Sequence, residues 1–318
     1  MNMWSMVLTI LGLCLFEIVS SLDNAVVNAD VLATMSKKWQ RRFIVWGILF
    51  AVFIVRGMLP WVIVWGTNFS LGPWGSLKAT FSNNNSPMVV HSIERSTPLL
   101  LVAGGIFLVF LFLHWLLVED KNFGLPGEEF FSRQGAWFFA AASCILTAII
   151  WYSLKVNPSM AFAAALGTSA FFFTYGFKEY AERAEVHLKN EHSEVSDMSK
   201  FLYLQVLDAT FSIDGVLGAF AFTISIPLIL LGNGLGALVV RDLTVRGVSR
   251  IKNYPFLKNG AMYSICFLGV FMIAESFGHE IPDYIPPIVT FLTVGFFFHK
   301  SIRYRKRELA RLAAEASK

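Results

Sequence analysis

Glu17-Ile-Val-Ser-Ser-Leu-Asp-Asn24, near the start of the chain, is matched in the second half by Asp208-Ala-Thr-Phe-Ser-Ile-Asp-Gly215. Both octapeptides follow one pattern: an acid, three residues, a serine, an aliphatic residue, an aspartate and a small residue. Each lies inside a long apolar stretch, where an ionised acid at the centre of a membrane helix costs on the order of 2.5–3.5 kcal/mol. The two motifs therefore predict a duplicated membrane helix whose acids have a role that offsets this cost.

The composition is typical of a membrane protein. Hydrophobic residues make up 55% of the 318 residues and charged residues 15%, against about 25% charged in an ordinary soluble domain. The three cysteines lie far apart in apolar stretches, so we predict neither a disulfide framework nor a zinc motif. The N-terminal apolar run leads into Glu17 rather than into a cleavage site, and we expect a retained first helix.

Nine stretches are long enough to cross a bilayer, whose core of about 30 Å requires about 20 helical residues. We therefore predict an all-α protein, a polytopic transmembrane helix bundle of about nine spans. The predicted spans are 3–28, 43–66, 98–118, 135–154, 159–177, 201–223, 225–241, 260–277 and 284–300.

Lysine and arginine are distributed unevenly among the segments that connect these spans. If the spans alternate in direction, 22 of the 26 basic residues fall on one side, three on the other, and Arg56 lies inside a span. Because basic loops face the cytoplasm, we expect a multi-pass plasma membrane protein with its N-terminus outside and its C-terminus cytoplasmic. The net charge of +4 then reflects topology, and the expected partner is the lipid bilayer rather than nucleic acid.

The two motif helices would cross the membrane in opposite directions. A second pair of similar segments supports a repeat, since Phe-Ile-Val-Arg56-Gly resembles Leu-Val-Val-Arg241-Asp. We predict an inverted-topology repeat that relates spans 1–4 to spans 6–9. The expected division is a first transmembrane repeat, a linking span with a cytoplasmic linker, a second transmembrane repeat and a basic cytoplasmic tail: 1–154, 155–200, 201–300 and 301–318. We expect 67–97 to be an outside loop, either a cover for a pathway or a plain connector.

The positions of the first motif do not all face one way on a straight helix. At about 100° per residue, Glu17, Ser21, Asn24 and Asn28 share an arc of roughly 60°, whereas Asp23 and Asp30 lie to one side. Either the helix is broken near Ser20 and Ser21, which would expose carbonyl ligands, or Glu17 and Asp23 serve different subsites.

The candidate ligands are oxygen donors, which suit Mn²⁺, Ca²⁺ or Mg²⁺ better than zinc or copper. We predict metal ligands at Glu17, Ser21, Asp23, Asn24, Asp208, Ser212 and Asp214. Arg56 and Arg241 are predicted to form supporting charge pairs. A rival interpretation is that the acids only pair with these arginines and hold the bundle together. Four acids against two arginines favour a cation site.

The two motif strings resemble the paired signatures of the TerC family, named for tellurium resistance and similar to exporters of the LysE type. The resemblance implies a bacterial inner-membrane protein, and some members of that family are associated with manganese efflux. It assigns the acidic and amide positions Glu17, Asp23, Asn24, Asp208 and Asp214 to the family motif. Gly215 departs from the serine that is more usual there.

The function we expect is efflux of a divalent metal cation, Mn²⁺ or Ca²⁺, coupled to protons. We expect no organic cofactor and no enzymatic activity, because His279-Glu280 is followed by Asp283 where a zinc protease motif needs a second histidine. The alternative is a membrane scaffold of a tellurite or metal-stress response complex, in which the buried acids are structural. The metal, the direction and coupling of transport, and the choice between a homo-oligomer and a cytoplasmic stress-response partner stay open.

Overall fold

Long apolar stretches form helices because a bilayer core offers no water to bond backbone N–H and C=O groups. A computed structural model describes residues 3–48, 72–81, 87–190, 196–246 and 254–316, together with positions 58, 61 and 65. These residues include twelve helices with defined ends and no strand. The prediction of an all-α protein is confirmed.

The helices, in chain order, are α1 (Met3–Ser20), α2 (Leu22–Ala33), α3 (Lys37–Ile48), α4 (Gly72–Phe81), α5 (Pro87–Leu117), α6 (Glu128–Ser132), α7 (Trp137–Val156), α8 (Pro158–Asn190), α9 (Asp197–Ala219), α10 (Ile226–Arg246), α11 (Leu257–Ser276) and α12 (Ile285–Ala316).

Six helical stretches in the described part of the chain are long and apolar enough to cross a membrane: Met3–Ser20, Thr97–Leu117, Trp137–Val156, Pro158–Tyr180, Leu257–Ser276 and Ile285–Leu312. They coincide with six of the nine predicted spans. Predicted spans 6 and 7 correspond to α9 and α10, and some side chains of these helices lie outside the described part of the chain. Most of the second predicted span, 43–66, also lies outside it. The chain has the helices of a multi-pass membrane protein, whereas nine spans and an inverted repeat stay predictions.

The segment 67–97 is not the loop that we expected, because its described residues are helical. Helix α4 occupies Gly72–Phe81, and α5 begins at Pro87, eleven residues before the predicted start of the third span. Gly72 has φ +64°, a conformation that glycine adopts readily, and proline is favoured in the first turn of a helix. The glycines and prolines of this segment therefore mark helix starts as well as turns.

Helix α5 lies at the centre of the bundle, between α8 and α11. Small residues let the three backbones approach closely: a Cβ added to Gly167 of α8 would clash with the carbonyl oxygen of Ala103, and one on Gly105 would lie 2.9 Å from that of Gly269. Close approach at small residues is the usual way in which membrane helices gain packing energy.

The helices that contain the two motifs pack on one side of this core. Helix α1 contacts α10, α11 and α12, and α9 contacts α1, α2, α3 and α8. The first motif therefore faces the second directly, and α10 lies beside both. This arrangement positions the candidate site.

Candidate functional site

Glu17 lies in the last turn of α1 and is 1% exposed. The helix is interrupted at the next turn: α1 ends at Ser20, Ser21 lies in a turn, and α2 begins at Leu22. The Ser21 hydroxyl donates a hydrogen bond of 2.7 Å to Oε1 of Glu17. The structure thus has an interruption near Ser20 and Ser21, but the Glu17 and Ser21 carbonyls still accept backbone hydrogen bonds from Ser21 and Ala25, at 3.1 and 2.9 Å. Free carbonyl ligands at the break stay a prediction, as do separate subsites for Glu17 and Asp23.

Two glycines of neighbouring helices lie against the Glu17 side chain. A Cβ added to Gly215 of α9 would lie 3.0 Å from Oε2 of Glu17, and one added to Gly236 of α10 would lie 2.6 Å from its Cβ. The same Gly236 Cβ would approach the carbonyl oxygen of Cys14 to 2.7 Å. Three helices therefore meet around this carboxylate, and any larger side chain at Gly236 would displace it.

Asp208 is buried separately, where α9 meets α2 and α10. Its Oδ1 accepts a hydrogen bond of 2.6 Å from the Asn28 amide, and its Oδ2 lies 2.9 Å from Nη1 of Arg241. Arg241 also donates to the carbonyl oxygen of Phe43 at 2.8 Å, and its guanidinium lies 3.8 Å from the centre of the Phe43 ring. Both oxygens of Asp208 are thus bound, and its charge is opposed by a buried arginine.

Asp214 faces a different direction from Asp208. The two residues are separated by about 120° around α9, and Asp214 feels the charges of Lys178 and Glu119, which belong to the α5 and α8 side of the bundle. Its Oδ1 is buried and has no hydrogen-bond partner in the part of the chain that the structure describes. The structure therefore distributes the acids of the second motif over two sides of α9.

One face of α9 is a buried polar stripe that sequence reasoning only partly identified. Gln205, Asp208, Ser212 and Gly215 lie within an arc of about 80° and are all buried. Neither amide atom of Gln205 has a partner within the described ranges, although the residue is only 7% exposed. The available signal was the position of the Gln205 amide, one turn before the predicted ligand Asp208. Buried polar groups of this kind often bind water.

Asn233 of α10 is a second polar residue that sequence reasoning missed. Its amide donates a hydrogen bond of 3.3 Å to the carbonyl oxygen of Gly215, next to the Glu17 carboxylate. The signal was its position between glycines in an otherwise apolar helix, because glycines on both sides predict a close helix contact.

Three predicted site residues lie wholly or partly outside the described part of the chain. The backbones of Asp23 and Asn24 lie in the first turn of α2, but their side chains, and the whole of Arg56, lie outside the described residues. Among the residues that are described, no three His, Cys, Asp or Glu side chains come together as a metal site. Any cation near Glu17 would therefore need Asp23, hydroxyl groups or backbone carbonyls as further ligands.

A separate ionic cluster lies at the end of α5. Glu119 is 3.3 Å from Nζ of Lys178 and 2.8 Å from Nζ of Lys258, and His114 approaches it to 3.9 Å. Burial alone would raise the pKa of Glu119, but the two lysines outweigh this effect and hold the pKa at about 2. The cluster joins α8 and α11 to the end of α5.

Glu128, which the sequence analysis did not select, is 2% exposed in the short helix α6. It accepts hydrogen bonds from the Gly124 backbone at 2.6 Å, from the Asn259 amide at 3.0 Å and from the Tyr263 hydroxyl at 3.0 Å. Lys300 of α12 donates to the carbonyl oxygen of Gly124. The contacts with Asn259, Tyr263 and Lys300 link the 119–135 connection to α11 or α12, which indicates a structural role.

The comparisons with known proteins give a family. The family model described as "Protein of unknown function (DUF475)" matches residues 22–308, which is most of the chain. The chain belongs to this family. The resemblance to the TerC family was therefore wrong: the match is to the DUF475 family, and the short acidic motifs alone were too few residues to decide between families.

One curated relative supports the membrane assignment. A stretch of 79 residues is 30% identical to the "Uncharacterized membrane protein YceF" of Bacillus subtilis (strain 168). The match spans 25% of this chain and 31% of the relative, so the chain spans about a third of the length of that protein. No solved structure matches.

Proposed function

We propose that this chain transports a hard divalent cation across the membrane and that Glu17 is the central ligand. The observation that supports this most strongly is the burial of Glu17 at a break between two helices, against the backbones of α9 and α10. Buried acids in membrane helices are costly and usually mark an ion or proton pathway. Interrupted helices provide carbonyl ligands at such sites in many transporters.

The ligand chemistry points to a class of ion rather than to one element. Glu17, Ser21 and Asp23 would offer carboxylate and hydroxyl oxygens, which Mn²⁺, Ca²⁺ and Mg²⁺ accept. The preference for Mn²⁺ depended partly on the TerC resemblance. Without it, the three ions are candidates of equal standing, and a flux assay has to compare them.

Asp208 has a different role in this proposal. Its oxygens are bound to Asn28 and Arg241, so it ties α9 to α2 and α10 in the arrangement described above. We assign it to the support of the site. Asp214 has a buried oxygen without a partner in the described part of the chain, and we assign it the proton that is exchanged for the cation.

Coupling to protons follows from the energy of export. If the basic end of the bundle faces the cytoplasm, moving a dication outward against an inside-negative potential of 100 mV costs about 4.6 kcal/mol. The sequence contains no nucleotide-binding loop that would supply this energy. An inward flow of protons through buried carboxylates would supply it.

The proposal is tested by cation flux in proteoliposomes with Mn²⁺, Ca²⁺ and Mg²⁺ in turn. Native protein should move at least one of the three ions, and Glu17→Gln should lose most of that flux while it remains folded. Glu129→Gln is the matched control, because Glu129 is exposed and its ion pair in the described part of the chain is with Arg133, just after α6. Flux in Glu17→Gln equal to that of the control would reject Glu17 as the central ligand.

The binding of Asp208 by Arg241 favours a second candidate, a membrane scaffold in which the buried acids are structural. In that case the scaffold would need the exposed charges of α12 to bind its partner, and it would not need Glu17. Charge reversal at Arg305 and Arg311 should then abolish the tellurite or metal-stress response of the cell, whereas Glu17→Gln should leave that response intact. If the chain is a transporter, Glu17→Gln should abolish this response and the charge reversals at Arg305 and Arg311 should leave it intact.

A further inference from the structure

One face of α12 has basic and aromatic side chains where its apolar portion ends. The helix is apolar up to Phe298, and its basic residues begin at Lys300. Arg303 and Arg307 follow at intervals of three and four residues, so the three cations lie along one side of the helix. This stripe runs over about 10 Å at 1.5 Å per residue.

The same face borders a cavity of about 360 Å³ between α12 and the start of α11. Its volume lies within the range of ordinary ligand sites. The side chains that line it include Phe256, Phe296, Lys300, Arg303, Tyr304 and Arg307.

The lining combines an aromatic wall with cationic groups. The Phe256 and Tyr304 rings pack edge to face with centroids 5.4 Å apart, and Nζ of Lys300 lies 5.7 Å from the Phe256 ring. Arg303 and Arg307 are exposed, and no ion pair is found for either of them within the described ranges. On the same helix, by contrast, Arg311 is paired with Glu315 at 2.9 Å. The cavity therefore has two arginines available for an anion.

We propose that this cavity binds the headgroup of an anionic phospholipid, with Arg303 and Arg307 on the phosphate and Phe296 against the acyl chains. Arginine pairs well with phosphate through parallel hydrogen bonds. The cavity lies where a candidate membrane span, Ile285–Leu312, changes from apolar to basic, which is the level at which headgroups lie. Basic pockets between membrane helices are known to select anionic headgroups. This site is independent of the proposed transport.

The test is a titration of the full chain in detergent with short-chain phosphatidylglycerol, followed by native mass spectrometry and by the unfolding temperature. Native protein should bind this lipid and be stabilised by it. Arg303→Gln combined with Arg307→Gln should weaken binding about 30-fold, as expected for two basic groups near an anionic headgroup. Arg303→Lys with Arg307→Lys should retain part of the affinity.

The matched control is Arg305→Gln with Arg311→Gln, which removes two charges from the same helix but leaves the lining of the cavity unchanged. It should bind like the native chain. Equal weakening in the control would overturn the site in favour of a diffuse charge effect. Equal binding of phosphatidylcholine, or equal stabilisation by inorganic phosphate, would likewise overturn an anionic lipid site.

Discussion

Glu17 and Asp208 occupy matching positions in their motifs, yet the structure gives them different surroundings. Glu17 is bound by a hydroxyl and enclosed by glycine backbones, whereas Asp208 is bound by an amide and an arginine. Similar sequence patterns therefore do not imply similar electrostatics. Ser21 belongs to the same motif as Glu17, whereas the partners of Asp208, Asn28 and Arg241, lie outside both motifs.

The buried Asp208–Arg241 pair should contribute strongly to stability. Arg241→Gln should lower the free energy of unfolding by about 3–5 kcal/mol, because it leaves a buried carboxylate without its cation. Adding Asp208→Asn should restore part of this loss, since the uncompensated charge is then gone. Denaturant unfolding in detergent measures both effects.

Arg133→Gln is the control for this pair. Arg133 forms an ion pair with Glu129 at 2.5 Å, but both side chains are mostly exposed, and such pairs contribute about 0–1 kcal/mol. Equal effects of Arg241→Gln and Arg133→Gln would show that burial of the Asp208 pair has no energetic importance.

Residue types could be predicted from the sequence more easily than their contacts. Acids in apolar stretches identified Glu17 and Asp208 because their burial is costly. Nothing in the motif indicated that Asp208 meets Asn28, which lies 180 positions away. Gln205 and Glu128 were missed because one looked like an ordinary polar residue in a helix and the other like a connector.

At the scale of helices, the contact between α1 and α10 depends on Gly236. Gly236→Ala would place a Cβ 2.6 Å from Glu17 Cβ and 2.7 Å from the Cys14 carbonyl oxygen, so the helices must separate. Overpacking of this kind costs about 1–3 kcal/mol. The unfolding temperature in detergent should fall, and cation flux should fall with it.

Gly176→Ala provides the comparison for this change. Gly176 is also helical, but a Cβ there meets nothing within 4 Å among the described residues, so the substitution should be neutral or stabilise the helix by up to about 1 kcal/mol. If Gly236→Ala were as well tolerated as Gly176→Ala, the close crossing of α1 and α10 would be incorrect.

The cluster at the end of α5 gives a prediction about pH. The pKa of Glu119 is about 2 in the folded protein against an ordinary value of 4.5, so the folded state binds its proton less readily than the unfolded state. Its contribution, on the order of 3 kcal/mol, is present above about pH 4.5 and is lost as the pH falls towards 2. Unfolding midpoints between pH 6 and pH 3 should show this decline.

Glu119→Gln should remove this dependence, because it replaces the titrating group. The variant should be less stable than the native chain at pH 6 and should approach it at pH 3. A native and a variant curve that stay parallel across this range would contradict the role of Lys178 and Lys258.

Helix positions followed from hydropathy where the apolar run was long, as in α5, α11 and α12. Helix ends did not. Helix α4 and the first ten residues of α5 lie in a stretch with many glycine, proline and asparagine residues that predicted a loop. Proline in a first turn and a glycine before a helix are compatible with helix starts, and composition alone does not distinguish the two uses.

At the scale of the whole molecule, the described helices form one bundle in which three groups of charges lie apart. Glu17 lies at the crossing of α1, α9 and α10, Asp208 at the contact of α9 with α2, and Glu119 at the end of α5. The sequence predicted all four motif acids as metal ligands, with one site or different subsites left open. The separation of the acids supports different roles for them: one acid binds the cation, and the others hold helices together or exchange protons.

The most direct measurement records cation and proton flux together in one proteoliposome sample, with a metal-sensitive and a pH-sensitive dye. Native protein should move the cation against a flow of protons, Glu17→Gln should stop both flows, and Glu129→Gln should change neither. Cation flux that continues in Glu17→Gln, or native flux that leaves the pH unchanged, would contradict the proposed exchange of a cation bound at Glu17 for protons.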